Sequence, residues 1–453
     1  MIYLIISHVS AEKSSPFPFL RLKSSAQEVI LLGYIFHEPP TSEFNMSIRE
    51  SYVHTLHACN ISYVTQAIVN DFAPLLFLWF MRAYDLELGQ LTYLLVGNFW
   101  LQMCVAFACA ELADRISYRL TLVVGQFCSA AGLVLMTILP EFMPNPLLGL
   151  TCAVALYAVG GGVVEAVTSP VVEACPFKRK AAAMSLVHSF YCWGQMIVVL
   201  GSTLFFHYIG LDNWRWLALV WAAVPLLDGF YFMFVPMRPL IAEGKQGLGI
   251  LGLFKLPVFW LMAVMMLCAG ASEHCMNQWA SSFAESALGV KKEVGDLAGP
   301  CLFALLMGLS RTLYAAFSMR LNLINCLIAS CALSIAAYLT AVFAPWPPLA
   351  LAGCALCGWA AGILWAGVFS TASLAIPLGG TAMFALLALP GDFGCGLGPV
   401  YVGRIAAFFG DDLKAGLLAA AFFPALMLGC LLYYKFGYLP RHKELTSSGI
   451  PEG

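Results

Sequence analysis

The chain has 453 residues, of which 61% are hydrophobic and 11% charged, with a formal net charge of −2. A water-facing surface on such a chain needs roughly a quarter of its residues charged, so most of the apolar side chains must face lipid. The mild acidity, pI ≈ 6.4, leaves no basic footprint for nucleic acid.

Residues 1–50 read as an N-terminal extension. They mix polar and apolar residues, carry Pro16, Pro18, Pro39 and Pro40, and lack the basic start and long apolar stretch of a signal peptide. Met46 is the expected native start. Apolar runs long enough to cross a ~30 Å hydrocarbon core then follow at 57–80, 89–110, 118–139, 147–172, 182–207, 214–236, 256–284, 295–317, 321–343, 348–376, 381–409 and 414–437. Each is long and continuously apolar, which predicts helices and not the short alternating strands of a barrel. Turn or charge signals separate them, among them Pro144-Asn145-Pro146, Lys178-Arg179-Lys180 and Pro345-Trp346-Pro347-Pro348.

The runs divide into six, a linker, and six, and the halves echo one another. Asp71 matches Glu273, Gly160-Gly161-Gly162 matches Ala360-Ala361-Gly362, and Tyr191-Cys192-Trp193-Gly194 matches Gly391-Asp392-Phe393-Gly394, all offset by about 200 residues. The expected fold is an all-α integral membrane protein of twelve transmembrane helices in two six-helix bundles, with a binding site between them near the midplane. The expected bounds are 51–236 for the first bundle, 237–255 for a cytoplasmic linker, 256–437 for the second bundle and 438–453 for a cytoplasmic tail. The glycines suit helices that slide past one another, or equally a tight static packing.

Lysine and arginine placement sets the orientation. Arg115, Arg119, Lys178, Arg179, Lys180, Arg238, Lys245, Lys255, Arg311, Arg320, Lys435, Arg441 and Lys443 crowd one set of loops, which assigns that set and both termini to the cytoplasm. The 16 cysteines are scattered, and the one C-x-x-C pair, Cys354 and Cys357, lies inside an apolar run. That placement reads as helix packing, and no metal or cofactor is expected.

Charges at membrane depth are costly and face a cavity or a partner. Asp71, Glu165 and Glu273 are the candidates for proton coupling, because a carboxyl in a low-dielectric site titrates nearer neutrality. Asp392 suits solute binding or a helix-holding hydrogen bond equally, and Asp228 reads as structural. Asn70 adjoins Asp71. His188 suits proton sensing, solute contact or packing. Trp279, with Asn277 beside it and Glu273 under two turns away, makes an aromatic and amide face suited to a polyhydroxylated solute, as do Trp193 and Trp365. Other signals carry nothing. Gly247-Leu248-Gly249-Ile250-Leu251-Gly252 fits G-x-G-x-x-G but has no βαβ unit around it. Gly308-Leu309-Ser310 lacks the last glycine of a nucleophile elbow, since Thr312 stands there. No Walker A motif is present. An enzyme is not expected.

The loop Glu111-Leu112-Ala113-Asp114-Arg115-Ile116-Ser117-Tyr118-Arg119 resembles the cytoplasmic signature of the major facilitator superfamily, without its leading glycine and with Ser117 at a usual glycine. Gly308-Leu309-Ser310-Arg311 is a degenerate echo. The resemblance implies that Asp114, Arg115 and Arg119 form a conformational latch. Within that superfamily, Ser185-Leu186-Val187-His188-Ser189-Phe190-Tyr191, Gly270-Ala271-Ser272-Glu273 and Gly391-Asp392-Phe393-Gly394-Cys395 resemble the fucose-permease-like sugar carriers. There an aspartate of the first helix and a glutamate of the fourth couple proton to sugar, and Asp71 and Glu165 stand at those places. Thr168-Ser169-Pro170 replaces the asparagine that often accompanies the glutamate. The implied function is alternating-access transport of a small polar solute, a sugar, with proton symport. The partners would be solute, protons and lipid, and the protein a monomer in a bacterial cytoplasmic membrane. Export of a drug or metabolite is the alternative within transport, and a non-transporting nutrient receptor the alternative outside it.

Overall fold

The computed structural model describes residues 48–86, 88–240, 247–286, 288–290, 295, 297–318, 320–410 and 412–440. The expectation that residues 1–45 are an extension lies outside the described residues. The helices are α1 (Tyr52–Asp71, resuming over Phe77–Tyr84), α2 (Leu88–Ile116), α3 (Tyr118–Met136), α4 (Pro146–Ala174), α5 (Lys180–Tyr208), α6 (Trp214–Phe232), α7 (Pro257–Ser286), α8 (Leu302–Phe317), α9 (Leu323–Phe343), α10 (Pro347–Ala361, resuming over Leu364–Ala375), α11 (Gly380–Phe408) and α12 (Leu413–Ala420, resuming over Phe422–Tyr433). Nine stretches among the described residues are long and apolar enough to cross a membrane.

Local chemistry places the helix ends. The Ser51 hydroxyl accepts from the Val53 amide, Asn145 Oδ1 from Leu147, Asn322 Oδ1 from Asn325 and Asp412 Oδ1 from Lys414. Each satisfies a donor that the first helical turn leaves orphaned. Pro74 cannot donate and disfavours the α conformation in the residue before it. The chain accordingly tightens to a 3₁₀ turn over Ala73–Leu76, and Asp71 ends the first part of α1. α10 breaks at Gly362 and Ile363, and Arg311 Nε donates to the Gly362 carbonyl at 2.6 Å.

Two apolar cores stand out among the described residues. One gathers Phe72, Phe80, Leu133, Tyr157, Trp214 and Trp221 from α1, α3, α4 and α6. The other gathers Phe283, Phe303, Tyr338, Cys354 and Phe423 from α7, α8, α9, α10 and α12. Between these halves α2 and α4 pack on α11, and α5 packs on α8 and α10.

Most glycines serve packing inside a half. A Cβ on Gly160 would stand 2.0 Å from Ser129 Oγ on α3, and one on Gly358 would stand 2.2 Å from the Phe303 carbonyl oxygen on α8. At these two positions the backbones approach so closely that only glycine fits. In this state Gly160 of α4 and Gly358 of α10 are therefore packing positions.

One assignment is corrected. Arg311, grouped above with the loop cations and with the signature echo before the ninth run, lies within α8 and is 4% exposed. The helix continues for six residues beyond it, to Phe317, so Arg311 sits inside the span and not in a loop.

Candidate functional site

Three helices of the first half present a polar stripe. α1 contributes Tyr63, Gln66, Asn70 and Asp71, α4 contributes Glu165, Ser169 and Glu173, and α5 contributes His188 and Gln195. These positions recur at helical spacing, so each set lies along one face. Since α4 runs antiparallel to both α1 and α5, Glu165 falls at the depth of Gln66 on α1, and Ser169 at the depth of His188 on α5.

At mid-depth Glu165 Oε2 accepts from Gln66 Nε2 at 3.1 Å, and the same nitrogen donates to Gln102 Oε1 at 2.8 Å. Gln102 Nε2 donates to Asn70 Oδ1 at 2.8 Å, and Asn98 Nδ2 donates to the same oxygen at 3.1 Å. Asp71 Oδ1 accepts from Gln195 Nε2 at 3.2 Å, while Asp71 Oδ2 and Gln66 Oε1 are buried without a hydrogen-bond partner. Buried polar atoms are rarely left unpaired in the absence of a ligand or water.

The second half closes the site. Tyr191 on α5 of the first half lies near Asp71, Glu165 and Glu273, and Cys395 on α11 of the second half lies near Glu165, Glu273 and Asp392. Asp392 on α11 likewise interacts with Glu165 on α4, across the halves. Trp365 stacks its ring edge against Gly391, where a Cβ would meet it at 2.4 Å.

Glu273 is tied to a partner that the sequence reading placed elsewhere. Its Oε2 is 3.2 Å from Arg311 Nη2, and both residues are buried. Arg311 also donates from Nη1 to the His188 carbonyl at 3.0 Å and to Cys192 Sγ at 3.1 Å, while the Ser185 hydroxyl donates to the Arg311 carbonyl at 2.9 Å. One guanidinium therefore holds α5, α7 and α10 to α8. Trp193 adds a bond from Nε1 to Thr312 Oγ1 at 3.2 Å along the same seam.

His188 Nε2 lies 3.1 Å from Tyr63 Oη and 3.2 Å from Ser169 Oγ, and those two oxygens are 3.1 Å apart. Trp279 donates to the Pro399 carbonyl at 2.9 Å, which sets it against α11, and Asn277 is half-buried one turn from Glu273. Asp228 accepts from Ser62 and Gln126 within the first half.

Toward the end that carries Lys178, Arg179 and Lys180, here termed the basic end, bonds cross between the halves. The Ser373 hydroxyl donates to Glu173 Oε1 at 2.7 Å and the Tyr118 and Thr381 hydroxyls meet at 2.8 Å, while the Leu248 amide, between the halves in sequence, donates to the Leu378 carbonyl of the second half at 2.9 Å. Of the expected latch, Arg119 donates to the Met233 carbonyl and so caps α6. The side chains of Asp114 and Arg115 lie outside the described residues.

Sequence reading missed the neutral amides Gln66, Asn98 and Gln102, the cation Arg311, and Glu173. The available signals were Gln66 and Asn70 one turn apart, Asn98 and Gln102 one turn apart, and Glu173 two turns after Glu165.

A bundle of membrane-length helices in two halves, with buried carboxylates and amides where the halves meet, defines a membrane carrier. Residues 59–399 match the family model described as Major Facilitator Superfamily, and the chain belongs to that superfamily of transporters. No curated protein matches the chain. Among solved structures, the fold is similar to that of the E. coli fucose:proton symporter, at 15% identity over 85% of this chain and 99% of that one, with a TM-score of 0.72. A structure of the proton:xylose symporter bound to 6-bromo-6-deoxy-D-glucose matches at 14% identity over 89% and 96%, with a TM-score of 0.68. The human organic anion transporter MFSD10 matches at 16% identity over 87% and 100%, with a TM-score of 0.62.

Proposed function

We propose that the protein is a secondary active carrier that moves a small polar solute, a sugar, together with protons by alternating access. The observation that carries this reading is the mid-depth group of Glu165, Gln66, Gln102, Asn70 and Asp71, which faces Asp392 and Trp365 of the opposite half. Its amides offer both donors and acceptors to hydroxyls, and among the described residues Asp71 and Glu165 have no ion-pair partner. Arg311, the buried cation of the region, is committed to Glu273. This acidic lining suits a neutral solute carried with protons and disfavours an organic anion.

In this reading the halves span 51–236 and 256–437, joined by a linker at 237–255, and the basic end faces the cytoplasm of a bacterial cell. Both termini lie there, and the carrier works as a monomer. Asp71 and Glu165 take up the coupling protons. Asn70, His188, Trp193, Asn277, Trp279, Trp365 and Asp392 serve the solute site or its walls, and Glu273 acts through Arg311. The fucose:proton and proton:xylose symporters supply the precedent for the solute class.

The test is solute-driven proton movement in proteoliposomes, screened over monosaccharides and small polyols. Alkalinisation outside the vesicles with one solute supports symport. Its absence across the screen, in protein that stays folded, overturns the sugar and proton assignments.

A further inference from the structure

Below Glu165 the polar stripe continues toward the basic end. α4 places Glu165, Ser169 and Glu173 at successive turns on one face, about 6 Å apart per turn. α5 places His188 beside Ser169, with Lys180 two turns further on beside Glu173. The middle rung is a closed ring of three groups, Tyr63 Oη, Ser169 Oγ and His188 Nε2, every pair within 3.1–3.2 Å. All three residues are buried, at 6%, 0% and 5% exposure. The lowest rung is Glu173, whose Oε1 receives Ser373 of the opposite half and lies 3.4 Å from Lys180 Nζ. Glu173 Oε2 is buried and unpartnered, as is Oγ1 of Thr168, the residue before Ser169. Orphaned oxygens at these depths are the sites where bridging waters bind.

His188 Nε2 meets two hydroxyls, each of which both donates and accepts, so the ring holds the elements of a proton chain. The groups that face His188 are Tyr63 from α1, Ser169 and, beyond it, Glu165 from α4, Arg311 from α8 at the His188 carbonyl, and the Phe369 ring from α10.

We propose that Tyr63, Ser169 and His188 form a proton relay that carries the coupling proton from Glu165 to Glu173 at the basic end. The inference rests on the proton-coupled reading given above. Glu165 gives its proton through a bridging water to the hydroxyl pair, a hydroxyl proton passes to imidazole Nε2 as the hydroxyl takes up the incoming one, and the imidazole releases its other proton from Nδ1 through water to Glu173. Each group gains a proton on one side and loses one on the other, so the ring ends as neutral as it began. In the present state Ser373 and the neighbouring cross-half bonds cover Glu173. Opening of the basic end removes them and lets the proton leave, which ties release to the conformational switch.

The experiment compares two assays in proteoliposomes holding full-length protein, for the solute that moves protons with the parent. One is net solute-driven proton flux, which needs release. The other is solute counterflow, in which the proton stays bound. Ser169→Ala and Tyr63→Phe are each made; each removes a single oxygen from the ring and keeps its packing. The expected result is a tenfold or greater loss of net proton flux in both variants with counterflow within twofold of the parent, and a net flux that recovers at high internal pH. Equal loss in both assays, or no loss in either, overturns the relay while proton coupling stands. A parent that moves solute without protons overturns the coupling and the relay together.

Discussion

Arg311 Nη2 on α8 lies 3.2 Å from Glu273 Oε2 on α7, in a pair buried within the membrane-spanning helices. The same guanidinium reaches the Gly362 carbonyl on α10 and the His188 carbonyl on α5. A buried ion pair gives little net stability, but loss of one member leaves an uncompensated charge. The pair therefore ties α7 to α8 at the α5–α8 seam, where the halves meet.

Glu273→Gln leaves Arg311 alone and costs stability on the order of 3 kcal/mol. Replacing both, as Glu273→Gln with Arg311→Met, restores most of that loss. Thermal unfolding of detergent-purified protein checks both values, and a double variant no better than the single one would count against this tie.

The cross-half bonds at the basic end predict a population shift. Ser373→Ala removes the donor to Glu173 Oε1, a bond worth about 1.5–3 kcal/mol because the acceptor is charged. The balance then moves roughly tenfold or more toward the state open at the basic end. Spin labels at Lys178→Cys and Leu378→Cys, with Cys104 and Cys152 replaced by serine, report this as a longer distance population. An unchanged distance distribution would contradict it.

Gly160→Leu and Gly358→Leu are predicted to prevent folding. The added side chain meets Ser129 and the Gly125 carbonyl in the first case, and the Phe303 backbone in the second. Backbone cannot move aside without parting helices within one half. Loss of monodisperse protein on size-exclusion chromatography is the expected readout, with Gly396→Leu, at an open position, as the tolerated control.

Asp228 separates a structural acid from a coupling acid. It accepts from Ser62 and Gln126 at 3.0 and 2.9 Å, away from the mid-depth amides. Asp228→Asn keeps an acceptor oxygen, so proton-linked transport stays within about twofold of the parent. Transport lost to the extent seen on changing Glu165 would show that Asp228 belongs to the coupling path.

Much of this was legible in the sequence, and the reasons differ by residue. The spans follow from uninterrupted apolar runs, because lipid demands length and apolarity and little else. Asp71, Glu165 and Glu273 stood out as charges in those runs. Arg311 did not, because it lies only six residues from its helix end, where loop cations also gather, and its partner is 38 residues distant. Neutral amides escaped for another reason: a glutamine in an apolar run reads as a minor polar interruption, and only the fold shows that Gln66, Gln102 and Asn98 meet. The ring of Tyr63, Ser169 and His188 draws on three helices, and no local spacing announces it. The extension of the stripe to Glu173 was readable as a two-turn repeat on α4.

The central claim is that Glu165 carries the coupling proton for a neutral solute. The most direct measurement is Glu165→Gln compared with the parent in proteoliposomes, with net proton-driven uptake and solute counterflow recorded on the same preparation. Glutamine keeps the hydrogen bond to Gln66 and mimics a permanently protonated acid. The account predicts that net uptake falls to background while counterflow persists. Net proton-driven uptake that survives in Glu165→Gln would contradict it.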